Sequence, residues 1–372
     1  MKRITFIALS LLAGLALLSS CKKDQVPSPE GDVTEPVGQH ATFYRSVLTY
    51  EVTSNCDWSV SLDEDSPLSI DPLEGTAGTS VICVTLPDNK TQDVLKSSFS
   101  VVFKNSADES FSYVVEIEQP RPSVEIGGMS YKVAYLADGQ YWMTENLRYC
   151  PDGKTVSKDL ADIANGVWYP VTTDGTNVTF DESAEGVMEK GYLYTAEVAF
   201  GEAITKDNFD KFDKVQGICP EGWHIPDFDD WFGLVGKSNG KDSDKTAPYF
   251  DETLGTATNP GSGSIAKAEA DGMPIPITGM VNVGNAAAAK GSLAGTNGKA
   301  PDKALNMGYI LGSTAYKLFT NTDDEESLKN VQYYSLMSTK HNGTIALSYS
   351  GYRYGVSVRC VKDSAAPADA EE

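Results

Sequence analysis

The sequence predicts two folded units of different class, an antiparallel β-sandwich and then a larger α+β unit, behind an apolar N-terminal segment. Three observations carry this. Residues 41–120 break into short alternating apolar runs separated by turn residues. Residues 122–363 mix hairpin-like strands with one strongly capped helix start. At 372 residues the chain has the length of two or three domains.

Composition narrows the function. With 30 Lys+Arg against 52 Asp+Glu, the formal net charge is -22, so a phosphate backbone would be repelled. No nucleic acid is expected as a partner. Only three His (His40, His224, His341) are present, far apart and in no H-x-x-x-H arrangement, so a zinc site has little to build on.

Lys2 and Arg3 precede an apolar run from Ile4 to Leu18, the pattern of a signal peptide over residues 1–20. The run is too short for a convincing membrane span. It ends Leu18-Ser19-Ser20-Cys21, which resembles a bacterial lipobox, with Cys21 as the lipidated residue. The expectation is an outer membrane lipoprotein, periplasmic or surface-exposed, whose membrane partner is reached through multiple acyl chains on Cys21. In such a compartment disulfides persist. Five further cysteines (Cys56, Cys83, Cys150, Cys219, Cys360) leave an odd one over. Residues 21–40 are polar and Pro-rich and read as a tether.

Between residues 41 and 120 the expected strands are Val47–Val52, Trp58–Leu62, Ser80–Leu86, Ser97–Phe103 and Tyr113–Ile117. Asn55-Cys56-Asp57-Trp58-Ser59-Val60, Pro72-Leu73-Glu74-Gly75, Asn89 and the closing Val115 to Pro120 resemble the BACON family of Ig-like modules. The Arg that usually follows the Asn is missing. The resemblance implies an Ig-like sandwich, a carbohydrate-associated spacer, with Trp58 as its core plug. Cys56 and Cys83 fall on successive strands and are candidates for a bridge.

The larger unit carries Tyr141-Trp142-Met143-Thr144-Glu145-Asn146-Leu147, Gly191-Tyr192-Leu193-Tyr194-Thr195-Ala196, Gly217 to Pro226 and Gly355 to Asp363. In this order these words resemble the Fibrobacter succinogenes major paralogous domain family (FISUMP) across residues 122–363. Asp227 reads as a helix N-cap with Asp230 at the capping-box position, and Phe228, Trp231, Phe232 and Leu234 or Val235 supply an apolar face. This helix start and the closing Ser357-Val358-Arg359-Cys360-Val361 resemble the C-type lectin-like fold, including its formylglycine-generating branch. Residues 254–305, rich in Gly, Ala, Thr and Ser, read as long loops, and residues 364–372 as a disordered acidic tail.

The resemblance places Cys219 and Cys360 in structural words of the family and implies a disulfide between them, with Cys150 left unpaired. No G-x-S-x-G and no phosphate-binding loop is present, so no catalytic residue is assigned and an enzyme is not expected. No cofactor is expected, calcium being the one candidate ion, with Asp227/Asp229/Asp230 and Asp323-Asp324-Glu325-Glu326 as acidic clusters. The first cluster is already explained by capping.

Aromatic and polar groups concentrate near the C-terminus, in Tyr334, Tyr349, Tyr352, Arg353 and Tyr354. Tyrosine offers a flat apolar face with a hydroxyl, which suits sugar rings or protein hot spots. Tyr349, Tyr352 and Tyr354 do not share one strand parity, so at least one should face outward. The expected function is adhesion or binding of a glycan or surface protein. The alternatives are a structural component of the envelope without a small ligand and, third, an enzyme related to the formylglycine-generating proteins.

Overall fold

A computed structural model describes residues 26–239, 243–283, 290–317, 328 and 330–363. The expected signal peptide, the lipidation site Cys21, the Asp323–Glu326 cluster and the acidic tail lie outside the described residues. Among the described residues no helix is long and apolar enough to cross a membrane.

The first unit runs to Asp88 and resumes over Lys96–Gln119. Its strands are β1 (Gly31–Thr34), β2 (Ser46–Ser54), β3 (Asp57–Ser61), β4 (Ser69–Asp71), β5 (Glu74–Gly75), β6 (Gly78–Leu86), β7 (Leu95–Lys104) and β8 (Ser110–Gln119). They form two four-stranded sheets, β1-β2-β6-β4 and β5-β3-β7-β8, and β1–β2, β2–β6, β4–β6, β3–β5 and β3–β7 pair antiparallel. Alternation sets which face is buried. Leu48, Tyr50 and Val52 of β2 meet Ile82 and Val84 of β6, and these pack against Trp58, Phe99, Val101, Phe103, Val115 and Ile117 of the other sheet. Each such aliphatic side chain contributes about 1.5–3 kcal/mol on burial. Trp58 fills the core, and its indole lies so close to Gly75 that a Cβ there would sit 2.4 Å from the ring.

Two expectations are corrected here. The segment read as tether contains β1, whose Val33 is buried and pairs with Val52. Cys56 and Cys83 do not bridge, and both are free thiols. Cys83 lies on the outward parity of β6 between buried Ile82 and Val84, whereas Cys56 sits in the turn before β3 and packs against the core.

The second unit comprises Asn89–Leu95 and the chain from Pro120 onward. Its first strands are β9 (Ser123–Ile126), β10 (Met129–Tyr135) and β11 (Tyr141–Met143). Short ribbons follow: β12 (Val167–Trp168) pairs with β15 (Leu193–Tyr194), and β13 (Val171–Thr173) with β14 (Val178–Phe180). Next come β16 (Trp223–His224), β17 (Phe250–Thr256), β18 (Asn259–Ser264), β19 (Met280–Asn282), β20 (Ser292–Ala294), β21 (Thr296–Asn297) and β22 (Ala304–Leu305). The last are β23 (Met307–Lys317), β24 (Gln332–Thr339), β25 (Thr344–Gly351) and β26 (Val361–Lys362). Helices α1 (Ala184–Lys190), α2 (Ala196–Phe200), α3 (Phe228–Val235) and α4 (Ile265–Ala270) are all short.

Two five-stranded sheets dominate, in the orders β16-β26-β11-β10-β9 and β17-β18-β25-β24-β23. The closing strand β26 therefore lies between β16 and β11, beside the unit's first strands. Helix α3 packs its apolar face into the main core: Phe228, Trp231, Leu234 and Val235 meet Trp142, Leu336, Ile345, Leu347 and Val361. The stretch expected as long loops instead contains the β17–β18 hairpin, α4 and two ribbons. Its small residues serve close approach: a Cβ on Gly263 would meet the Ile345 carbonyl oxygen at 2.7 Å. Cys219 and Cys360 form a disulfide across 141 residues. A loop of that length gives about 4–5 kcal/mol in the chain-entropy account.

Candidate functional site: a tyrosine platform beside a buried histidine clasp

In the β24–β25 ladder Tyr334 stands directly opposite Tyr349, and Leu336 opposite Leu347. Paired residues share a face, so both tyrosines emerge on the side that carries Leu336 and Leu347. The leucines are covered by α3, and the tyrosines continue the face beyond it. Tyr334 packs edge-on against Phe228 of α3, with ring centroids 4.5 Å apart. Tyr316 of β23 meets Tyr334 at 5.1 Å edge-on and lies flat against Tyr349 at 4.2 Å, inclined by 16°. Phe228 in turn stacks on Phe232 at 5.2 Å. A run of aromatic rings thus leads from the helix to Tyr349, which is 39% exposed. Stacking fixes the ring planes before any ligand arrives, so little ordering entropy is left to lose.

The five residues expected to bind ligand do not stay together. Tyr334 and Tyr349 join the platform. Tyr352 does not, being only 7% exposed, with its carbonyl accepting the Ala196 N–H at 2.8 Å and its own N–H donating to the Val331 carbonyl at 3.1 Å. Tyr354 is half-buried against the cluster of Trp168, Val171, Leu193, Val281 and Val283. β25 ends at Gly351, and beyond it the chain turns back over the body of the unit, so strand parity no longer governs where its tyrosines point. Arg353 is half-buried beside them. Sequence reasoning missed Tyr316, whose only signal is its position in an alternating run, GYILGSTAYK.

A second polar arrangement lies at the start of α3. Asp227 accepts the Asp230 N–H at 2.9 Å, and the Asp230 carboxylate accepts the Asp227 N–H at 3.0 Å, the reciprocal capping box the sequence predicts. The same Asp230 carboxylate meets His224 Nε2 at 2.9 Å, while His224 Nδ1 meets Asp363 Oδ1 at 2.5 Å. Both ring nitrogens face carboxylates, which accept hydrogen bonds, so the arrangement favours the doubly protonated imidazolium. Burial opposes that charge, but the hydrogen bonds to Asp230 and Asp363 outweigh it and raise the His224 pKa. Burial also works against ionisation of Asp230, and the bond from His224 reverses it, so Asp230 titrates below the ordinary carboxylate range. Asp227, buried and next to a second carboxylate, titrates above it. The cluster is a clasp: the segment 219–230 holds the segment 360–363 by a disulfide, by the β16–β26 pairing and by His224.

Arg359 ties the closing segment to Asn146 and Pro274. It is fully buried; Nε donates to Asn146 Oδ1 and Nη2 to the Pro274 carbonyl, each at 2.7 Å. Burial lowers its pKa to about 9. Among the described residues no group of three His, Cys, Asp or Glu is arranged to hold a metal ion. In the candidate acidic cluster Asp227/Asp229/Asp230, Asp227 and Asp230 are engaged with the helix cap and His224, and Asp229 is exposed. Cys150 is a free thiol, half-buried.

The geometry defines a β-rich unit whose sequence words hold its own chain together and whose sheet face presents tyrosines. Residues 137–362 match the Fibrobacter succinogenes major domain (Fib_succ_major). The chain belongs to that family. No curated protein matches it. Among solved structures, a Bacteroides ovatus GH5 xyloglucanase in complex with a XXXG heptasaccharide is 16% identical, covering 26% of this chain and 20% of that enzyme, with a TM-score of 0.20. The match thus spans a fifth of that enzyme's length, and a likeness this slight carries no argument.

Proposed function

We propose that the protein is a lipid-anchored envelope lipoprotein that binds a glycan or a protein partner through the face of Tyr316, Tyr334 and Tyr349. In this reading the first unit is an Ig-like, BACON-type spacer and the second a C-type lectin-like domain. The observation that carries it is the flat stacking of exposed Tyr349 on Tyr316. Phenol rings locked side by side offer an apolar surface with hydroxyl groups at its rim, the combination that pyranose rings and protein hot spots both use. The buried polar clusters point away from catalysis, because their hydrogen bonds are spent within the chain. The test is binding of the detergent-solubilised chain to a broad glycan array, with calcium and with chelator. Reproducible binding that Tyr349→Ala abolishes supports the reading. Absence of binding across the array, together with no partner recovered from the native envelope, overturns it.

A further inference from the structure

A cavity of about 450 Å³ in the second unit is lined by Arg121, Lys132 and Arg148, with Glu145 as its one carboxylate. In a chain where acids outnumber bases 52 to 30, this wall reverses the local sign of charge. Arg148 is fixed in place. Its guanidinium lies over the Tyr131 ring at 4.4 Å, its Nη2 donates to the Ser130 carbonyl at 2.8 Å, and its backbone N–H donates to Tyr131 Oη at 3.1 Å.

Glu145 offsets one of these three charges and leaves two. Its Oε2 accepts the Lys132 N–H at 2.8 Å and stands 3.8 Å from Arg148 Nη1, beyond hydrogen-bond reach. That Nη1 is buried and has no hydrogen-bond partner. Arg121 and Lys132 are exposed and form no ion pair among the described residues. The lining therefore carries three cations against one carboxylate, a net positive field, with Arg148 as a fixed charge behind and two exposed cations at the rim.

We infer that this cavity binds the carboxylate of an acidic sugar, a hexuronic acid unit of a polyanionic glycan. A guanidinium matches the plane and the paired oxygens of a carboxylate. The other groups at hand are Gln92, Ser123 and Ser130, neutral donors and acceptors suited to ring hydroxyls rather than to an apolar tail. Its volume falls in the range of small-ligand sites. None of these residues belongs to the tyrosine platform, so the two readings stand or fall separately.

The test is calorimetric titration of the full chain in detergent micelles with trigalacturonate, with cellotriose as the neutral control. The acid binds and the neutral trimer does not. Binding weakens at least tenfold in Arg121→Glu/Lys132→Glu and falls steeply in about 0.5 M salt, while Val114→Ala, an exposed change on the first unit, leaves it unchanged. Both replaced side chains are exposed, and an unchanged melting curve verifies that the variant is folded. Equal binding of the two trimers, no heat with the acid at millimolar concentration, or wild-type affinity in the charge-reversed variant overturns the inference. So does tighter binding of inorganic phosphate or of an acidic peptide.

Discussion

His224 and Asp363, 139 residues apart, meet at 2.5 Å through Nδ1 and Oδ1. The contact joins β16 to the residue that follows the closing strand, and Asp230 grips the other ring nitrogen at 2.9 Å. His224→Ala would leave buried Asp230 without its hydrogen-bonded cation and with only Lys214 Nζ, 3.9 Å away, to offset its charge, a loss of about 3 kcal/mol. Asp363→Ala removes a half-exposed partner and should cost about 1 kcal/mol. Thermal melts of both variants check this order, and a larger loss from Asp363→Ala would contradict it.

The clasp also sets a pH dependence. The folded-state pKa of His224 is raised, so its contribution is full below the unfolded value, about 6.5, and is lost as pH rises through the folded one. Asp230 is lowered, so its share is present above about 4 and is lost on acidification. Asp227, raised by burial, works the other way and loses stability as pH rises through its folded value. Subtracting a His224→Gln variant isolates the first term. The stability gap between wild type and variant should be widest near pH 5–6 and shrink toward pH 9, as read by urea denaturation.

The disulfide closes the same segments covalently. Cys219→Ser/Cys360→Ser should lower stability by about 4–5 kcal/mol. Alkylation of the unreduced, denatured chain followed by peptide mass spectrometry should find Cys56, Cys83 and Cys150 modified, and Cys219 and Cys360 only after reduction. In the native chain Cys83 reacts first, since it alone of the three is exposed.

Arg359 supplies a prediction without any charge partner in contact. Its replacement by Leu leaves the Asn146 side chain and the Pro274 carbonyl without their donor, at about 1–3 kcal/mol for each acceptor stranded. Arg359→Lys should recover only part of the loss, because one ammonium cannot reproduce two diverging donors. Melting temperatures of the two variants check it.

The longer strands of the first unit were legible because they alternate over five or more residues, as in β2, with Leu48, Tyr50 and Val52 inward and Val47, Thr49 and Glu51 outward. β1 was not, since Val33 is its only buried residue and a single apolar position has no period. α3 was legible from its cap, because Asp227 and Asp230 signal a helix start whatever lies around them. His224 was not, because its meaning depends on Asp363 and therefore on the tertiary fold. The platform was half legible. Tyr334 and Tyr349 lie on strands whose pattern can be read, but Tyr316 joins them only through sheet register, and Tyr352 and Tyr354 fall past the end of β25, where alternation stops.

The most direct test of the account is the affinity of Tyr349→Ala and Tyr316→Ala for whichever glycan or envelope protein the wild-type chain binds. An exposed variant on the first unit, Val114→Ala, serves as control. The account predicts at least a tenfold loss in both tyrosine variants, with unchanged melting temperatures and wild-type affinity in the control. Full affinity in folded Tyr349→Ala would contradict it and place the binding surface elsewhere.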